Sequence, residues 1–140
     1  MKKSYNIAAI MAAGKGTRAG ASLPKQYEEL RGRLVLERAV DAFEGHPDID
    51  QVVIVADPDE MERVEKIIQN NSWKKVAGSV RGGKTRYQSS RAVIKAFSNR
   101  PEDNLILHDA ARPLVSARII SEVIEKLKHC RAVGVAVPVT

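Results

Sequence analysis

Apolar residues in this chain gather in five short runs, and the stretches between them carry a helical period. The runs are YNIAAIMA (5–12), QVVIVA (51–56), KKVAG (74–78), NLILHD (104–109) and AVGVAVPV (132–139). Four are nearly unbroken and β-branched, the pattern of strands covered on both faces of a parallel sheet. The third is short and flanked by lysines, which predicts an edge strand or barely a strand.

Between the runs, Leu36, Ala39, Val40 and Phe43 predict a helix over 34–43. A second is predicted over 58–70, with Pro58 in its first turn, acids after it, and Met61, Val64, Ile67 and Ile68 as a stripe. Ala92, Val93, Ala96 and Phe97 predict a third over 86–97. A fourth, over 116–129, opens on Ser116 as a cap and turns Ile119, Ile120, Val123, Ile124 and Leu127 inward. These stripes read as core rather than as cofactor contacts.

Repeated strand–helix alternation predicts an open α/β sheet, mostly parallel, with right-handed crossovers. Ligands of such sheets sit at the carboxyl ends of the strands. The loops after Ala12, Ala56, Gly78 and His108 are therefore the ones to examine. The last run stops at Val139 and Thr140 with no element after it, so the pattern predicts one domain over 1–140, truncated after a fifth strand.

Composition narrows the partners. At 140 residues the chain is long enough for one domain with a real core. A net charge of +6 favours anionic ligands, and Arg81, Lys84, Arg86 and Arg91 crowd around a glycine pair. Aromatic content of 4% argues against nucleic-acid binding through base stacking. Cys130 is the only cysteine, so a disulfide framework and a cysteine metal site are excluded. The opening MKKSYNIAAIMAAGKG mimics a signal peptide, but Asn6 interrupts it and the apolar core from Ile7 to Ala13 is at the short limit. With no segment of membrane-spanning length, the expectation is a cytoplasmic protein.

The first loop, AAGKGTRAGASLPKQY, offers two readings. Gly14, Gly16 and Ala19 satisfy the dinucleotide fingerprint G-x-G-x-x-A, which needs a helix to open at the glycines. Gly20, Ser22 and Pro24 follow at once, and proline inside a helix costs about 3 kcal/mol. The better reading is a glycine-rich loop whose backbone N–H groups wrap a ligand, with Arg18 and Lys25 as two cations suited to a triphosphate.

Residues 78–85, GSVRGGKT, fit the phosphate-loop pattern G-x-x-x-x-G-K-[ST]. A P-loop NTPase would want a deeply buried strand before that loop, and the strand here is the poorest of the five. Asp109, at the end of the fourth run, carries the oxygen ligand Mg²⁺ prefers; the alternative is an aspartate capping its turn and paired with Arg112. His108 reads equally as a packed histidine at a strand end and as a catalytic one.

The stretch MAAGKGTRAGASLPKQY resembles the signature of sugar-phosphate and polyol-phosphate nucleotidyltransferases. Its PKQY ending resembles the cytidylyltransferases that use 2-C-methyl-D-erythritol 4-phosphate. LVLERAVDAF, VRGGKTRYQSS and LHDAARPLVS resemble further family stretches, in order and in register from residue 7 to residue 139. The resemblance implies a three-layer Rossmann-like nucleotidyltransferase fold. It implies transfer of CMP from CTP to 2-C-methyl-D-erythritol 4-phosphate, with release of pyrophosphate, in non-mevalonate isoprenoid precursor synthesis. It assigns the nucleotide to Ala12, Ala13, Gly14, Lys15, Gly16, Gly82, Gly83, Arg86 and Ser89, with Gly82, Gly83 and Ser89 beside the cytosine. Arg18 and Lys25 become the catalytic cations, Ala110 and Arg112 line the acceptor side, and Asp109 takes Mg²⁺.

Ser90 and Ala19 depart from the usual family residues. The family continues into an Asp-Thr stretch, an arm that pairs two subunits into a homodimer, and a further lysine; these lie outside the 140 residues. The sister activity, a ribitol 5-phosphate cytidylyltransferase of teichoic-acid synthesis, is the alternative, and Ala111 favours the isoprenoid enzyme.

Overall fold

A computed structural model describes residues 4–15 and 23–139. In chain order the elements are β1 (Asn6–Ala12), a 3-10 turn (Lys25–Tyr27), a hairpin of β2 (Glu29–Leu30) and β3 (Arg33–Leu34), and α1 (Val35–Glu44). There follow β4 (Gln51–Ala56), a second 3-10 turn (Pro58–Glu60), α2 (Met61–Gln69), β5 (Val76–Arg81), α3 (Arg86–Ala96), β6 (Asn104–Asp109) and α4 (Ala117–Leu127).

The main sheet has the order β5-β4-β1-β6, and all its pairings are parallel. β1 is paired on both edges and buried at every position, which is why its sequence is apolar without alternation. The first connections step outward from β1 through β4 to β5, and the chain then crosses back to lay β6 on the other side of β1. The direction of winding therefore reverses between β1 and β6, the place where open sheets of this kind bind ligands.

Strand side chains sort onto two faces with period two. Ala8, Ile10 and Ala12 of β1, with Val52, Ile54 and Ala56 of β4, pack against α1, α2 and α4 through Leu36, Ala39, Val40, Phe43, Val64, Ile67, Ile120 and Ile124. Ala9, Met11, Val53 and Val55 face the other way, onto Val93 of α3 and partly buried Phe97. The result is three layers, thick on one side and a single helix thin on the other. That thinness shows in α3, where Tyr87 and Ile94 remain exposed and, of the expected stripe, only Val93 is buried, with Ser89 beside it.

The third apolar run is an edge strand, as its lysines predict, but it runs from Val76 to Arg81 rather than ending at Gly78. The 29–34 hairpin went unpredicted. Its two-residue turn has positive φ at both Arg31 (50°) and Gly32 (80°), the conformation that matches hairpin twist, and arginine disguised it in the sequence. Arg33 then ties the hairpin to α1 by a two-pronged contact with Asp41, 2.8 Å at each prong.

The predicted fifth strand is corrected. Residues 132–139 form no strand, and Val135, Val137 and Val139 are exposed. An apolar run becomes a strand only where a neighbour takes its backbone N–H and C=O groups, and no described strand pairs with the outer edge of β6. Pro138, lacking an N–H, weakens the segment further as a ladder partner. Among the described residues, no helix is long and apolar enough to cross a membrane.

Candidate active site

A cavity of about 1000 Å³ lies at the carboxyl ends of β1 and β6 and the N-terminus of α3. β1 delivers Met11 and then Ala13, Gly14 and Lys15; the 3-10 turn supplies Lys25 and Gln26; the entry to α3 supplies Lys84, Thr85, Arg86 and Ser89; β6 and its loop supply Asp109, Ala111 and Arg112. Five cations thus surround one carboxylate. The loop after Ala56, one of the four singled out in the sequence, contributes nothing to this wall. Asp57 there caps the next turn instead, its Oδ1 accepting the Asp59 N–H at 2.9 Å.

Local chemistry explains how each wall is held. Thr85 caps α3 by accepting the Gln88 N–H at 3.1 Å, and Gln88 Oε1 reaches back to accept the Lys84 N–H at 2.8 Å. This reciprocal cap is what the spacing T-x-x-Q encodes. The Gly82 N–H donates to the Ala56 carbonyl at 2.7 Å, and the Gly83 N–H donates to Ser89 Oγ at 3.1 Å. A side chain at Gly82 would bring its Cβ to 2.7 Å from the Ala13 Cβ, and one at Gly83 to 2.4 Å from the Gln88 Cβ. The glycine pair is there because the chain passes too close to β1 and α3 for anything larger.

The same bonds dispose of the P-loop reading of 78–85. A phosphate loop must offer its amides to the ligand, whereas the amides of Gly82, Gly83 and Lys84 are all engaged inside the protein. Moreover, Gly78 to Arg81 is strand, not loop.

Asp109 ends β6 in the turn-capping geometry, its Oδ1 accepting the Ala111 N–H at 3.0 Å. Arg112 Nε stands 3.7 Å from its Oδ2. His108 packs its ring on Phe43 with centroids 5.1 Å apart, and its Nε2 bonds the Arg112 carbonyl at 2.9 Å. Of its two readings, the packed histidine is the one this geometry gives.

The residues singled out in the sequence therefore separate into groups. Ala13, Gly14, Lys15, Lys25, Arg86, Ser89, Asp109 and Arg112 share one cavity. Ala12, Gly82, Gly83 and Ala110 sit behind its wall; Ala110 is buried, with its N–H on the Met11 carbonyl at 3.0 Å. Gly16 and Arg18 lie outside the described residues. Lys84, Thr85 and Gln26 are wall residues that the sequence reading did not assign. The first two were hidden under the phosphate-loop match; Gln26, a buried polar side chain between Lys25 and Tyr27, gave no periodic signal.

The family model described as 2-C-methyl-D-erythritol 4-phosphate cytidylyltransferase matches residues 7–140. This chain belongs to that family. The 2-C-methyl-D-erythritol 4-phosphate cytidylyltransferase of Thermobifida fusca is 43% identical over 132 residues, covering 94% of this chain and 53% of its own length. A bifunctional ribulose 5-phosphate reductase/CDP-ribitol pyrophosphorylase of Haemophilus influenzae is 40% identical over 139 residues, covering 99% of this chain and 29% of its own. The crystal structure of 4-diphosphocytidyl-2C-methyl-D-erythritol synthase from Anaerococcus prevotii superposes with a TM-score of 0.73 at 27% identity, over 91% of this chain and 52% of that one. The chain spans about half the length of the single-function relatives. Its Rossmann-like, three-layer architecture is the cytidylyltransferase fold they share.

Proposed function

We propose that this cytidylyltransferase chain carries the nucleotide site for transfer of CMP from CTP to 2-C-methyl-D-erythritol 4-phosphate. The observation that carries the reading is the cavity itself, with five cations and one carboxylate gathered at the switch point of the sheet. A phosphate oxygen of the acceptor attacks the α-phosphorus of CTP. The bond from that phosphorus to the bridging oxygen breaks, and pyrophosphate leaves with the electron pair. The attacking oxygen is already anionic near neutral pH, so the step needs no general base. The chain's work is positioning and neutralising charge as two anions approach.

Lys25 and Lys15 stand on the β1 side of the cavity to meet the triphosphate; the family resemblance assigns Arg18, outside the described residues, to the same anion. Arg112 is suited to the acceptor phosphate. Ser89 keeps Gly83 in place, which shapes the wall proposed for the cytosine.

Among the described residues no three of His, Cys, Asp and Glu cluster as a metal cage. Asp109, with one oxygen capping its turn and the other toward the cavity's arginine, fits Mg²⁺ as a single protein ligand completed by phosphate oxygens and water. Such an ion would supply charge neutralisation at the phosphates. A homodimer belongs to the same proposal and would be read by sedimentation.

The acceptor has a second reading, ribitol 5-phosphate, supported by the 40% identity to the Haemophilus CDP-ribitol pyrophosphorylase. Thermal unfolding with Mg²⁺ and, separately, CTP, ATP and GTP tests the nucleotide. A ligand at about 100 times its dissociation constant adds roughly 2.7 kcal/mol. Stabilisation by CTP alone is expected; stabilisation by ATP or GTP alone overturns the reading. Product formation from CTP with each of the two polyol phosphates then separates the acceptors.

A further inference from the structure

Gln26 is buried, 5% exposed, and lies at the cavity wall. Its Nε2 donates to the Gly14 carbonyl at 2.7 Å and to the Ala12 carbonyl at 3.0 Å. A carboxamide nitrogen carries two hydrogens, and here each has an acceptor. Two carbonyls at one end of the group also fix which end is nitrogen. The turn that presents Gln26 is itself anchored: the Tyr27 N–H bonds the Pro24 carbonyl at 3.0 Å, and the Tyr27 ring is in the core. Lys25, on the same turn, reaches the cavity.

In a trans peptide the carbonyl and the next residue's N–H point in opposite directions. Turning the Ala12 and Gly14 carbonyls toward Gln26 therefore turns the N–H groups of Ala13 and Lys15 away from it. It also removes two negative dipole ends from a place meant for an anion.

We propose that Gln26 is a positioning residue for phosphate recognition, joining the loop after β1 to the turn that carries Lys25. Its carboxamide sets the loop peptides and the Lys25 ammonium at one fixed separation, so that both meet the same polyphosphate. The proposal rests on the cavity being an anion site, as argued above, and adds the residue that organises it.

The test is titration of the chain with inorganic tripolyphosphate and with CTP, followed by amide NMR, in wild type, Gln26→Leu and Val64→Ala. Leucine keeps the bulk and removes the donor; Val64, fully buried in α2 and away from the cavity wall, controls for lost stability alone. Gln26→Leu is expected to bind tripolyphosphate at least tenfold more weakly and to shift the Ala13 and Lys15 amide signals, while Val64→Ala binds as wild type does. Affinity within twofold of wild type in Gln26→Leu, or an equal loss in Val64→Ala, overturns the proposal.

If wild type binds neither ligand, the proposed function fails. The positioning role is then judged on the free chain, where unchanged Ala13 and Lys15 signals in Gln26→Leu sink it. Should Gln26→Leu not fold, the wild-type titration decides. The Gln26 side-chain amide protons must move together with the Ala13 and Lys15 amides, and movement of the latter without the former refutes the link.

Discussion

The Gly83 amide and the Ser89 hydroxyl are bonded to each other at 3.1 Å, with Ser89 buried at the start of α3. The hydroxyl's longer contact with the Gly83 carbonyl, 3.4 Å, closes the same turn. A stretch that reads as a phosphate loop is thus a self-satisfied turn, bonded inward. Ser89→Ala removes the acceptor of the half-buried Gly83 N–H, and a stranded donor costs up to about 1–3 kcal/mol when water cannot reach it. Urea unfolding should show a loss in that range; a loss near zero would mean water replaces the hydroxyl. Gly82→Ala should cost at least as much, because its Cβ would press on the Ala13 Cβ and the Ala56 carbonyl at once.

Legibility in the sequence followed the reach of the interactions. β1 and β4 announced themselves because strands buried on both faces must be apolar throughout, β6 because its apolar residues are half-buried against both layers, and α1, α2 and α4 because each buries a stripe. The capping serines and threonines are local and could be read from spacing, as at Ser116, whose Oγ accepts the Ile119 N–H at 3.2 Å. Whether AVGVAVPV pairs with anything depends on a neighbour outside its own letters, so composition alone misread it. Gln26 was invisible for a similar reason: its value lies in two carbonyls 12 and 14 residues away. The cavity's cations were recognised mainly through resemblance to a family, since scattered lysines and arginines carry no period.

Lys25 and Lys84 face the same cavity from different elements. Lys25→Ala should lower the rate of CMP transfer by about 10²-fold, with a much smaller loss of CTP affinity. Steady-state kinetics beside calorimetric titration would separate the two quantities, and equal losses in both would count against a transition-state role. Under the rejected phosphate-loop reading Lys84→Ala would abolish nucleotide binding while Lys25→Ala would leave it intact. On the present reading Lys84→Ala keeps CTP binding, and the rate of CMP transfer falls further in Lys25→Ala than in Lys84→Ala.

Tyr27 places its hydroxyl in the interior with no hydrogen-bond partner among the described residues. Burial, reinforced by the nearby Glu60 carboxylate, pushes its pKa from the ordinary 10.0 up to about 12. The fold favours the neutral phenol, so this contribution is complete below pH 10 and is lost as pH rises through about 12. Unfolding free energy should fall across that window in wild type, and by about one proton less steeply in Tyr27→Phe. At neutral pH the same substitution should raise stability by about 1 kcal/mol, since it removes an unpaired buried hydroxyl.

His46 joins three parts of the chain. Its Nδ1 accepts the Asp48 N–H at 3.1 Å, which leaves Nε2 as the donor to Ser121 Oγ of α4 at 2.8 Å. Its carbonyl receives Lys75 Nζ at 2.6 Å. Ser121→Ala should therefore cost about 1 kcal/mol and loosen α4 first. Native-state hydrogen exchange over residues 117–127 would register that loosening, and unchanged protection there would refute it.

The position of β1 between β4 and β6 has a consequence for biosynthesis. Asn6 is bonded side chain to side chain with Asn104, 98 positions further on, at 2.8 Å. A ribosome adding about 5–20 residues per second needs on the order of 5–20 s to supply that second neighbour. During the interval a strand that ends up buried at every position is flanked on one edge at best. The central strand is made well before its second neighbour, so the β6-facing edge of IAAIMA stays open until NLILHD emerges.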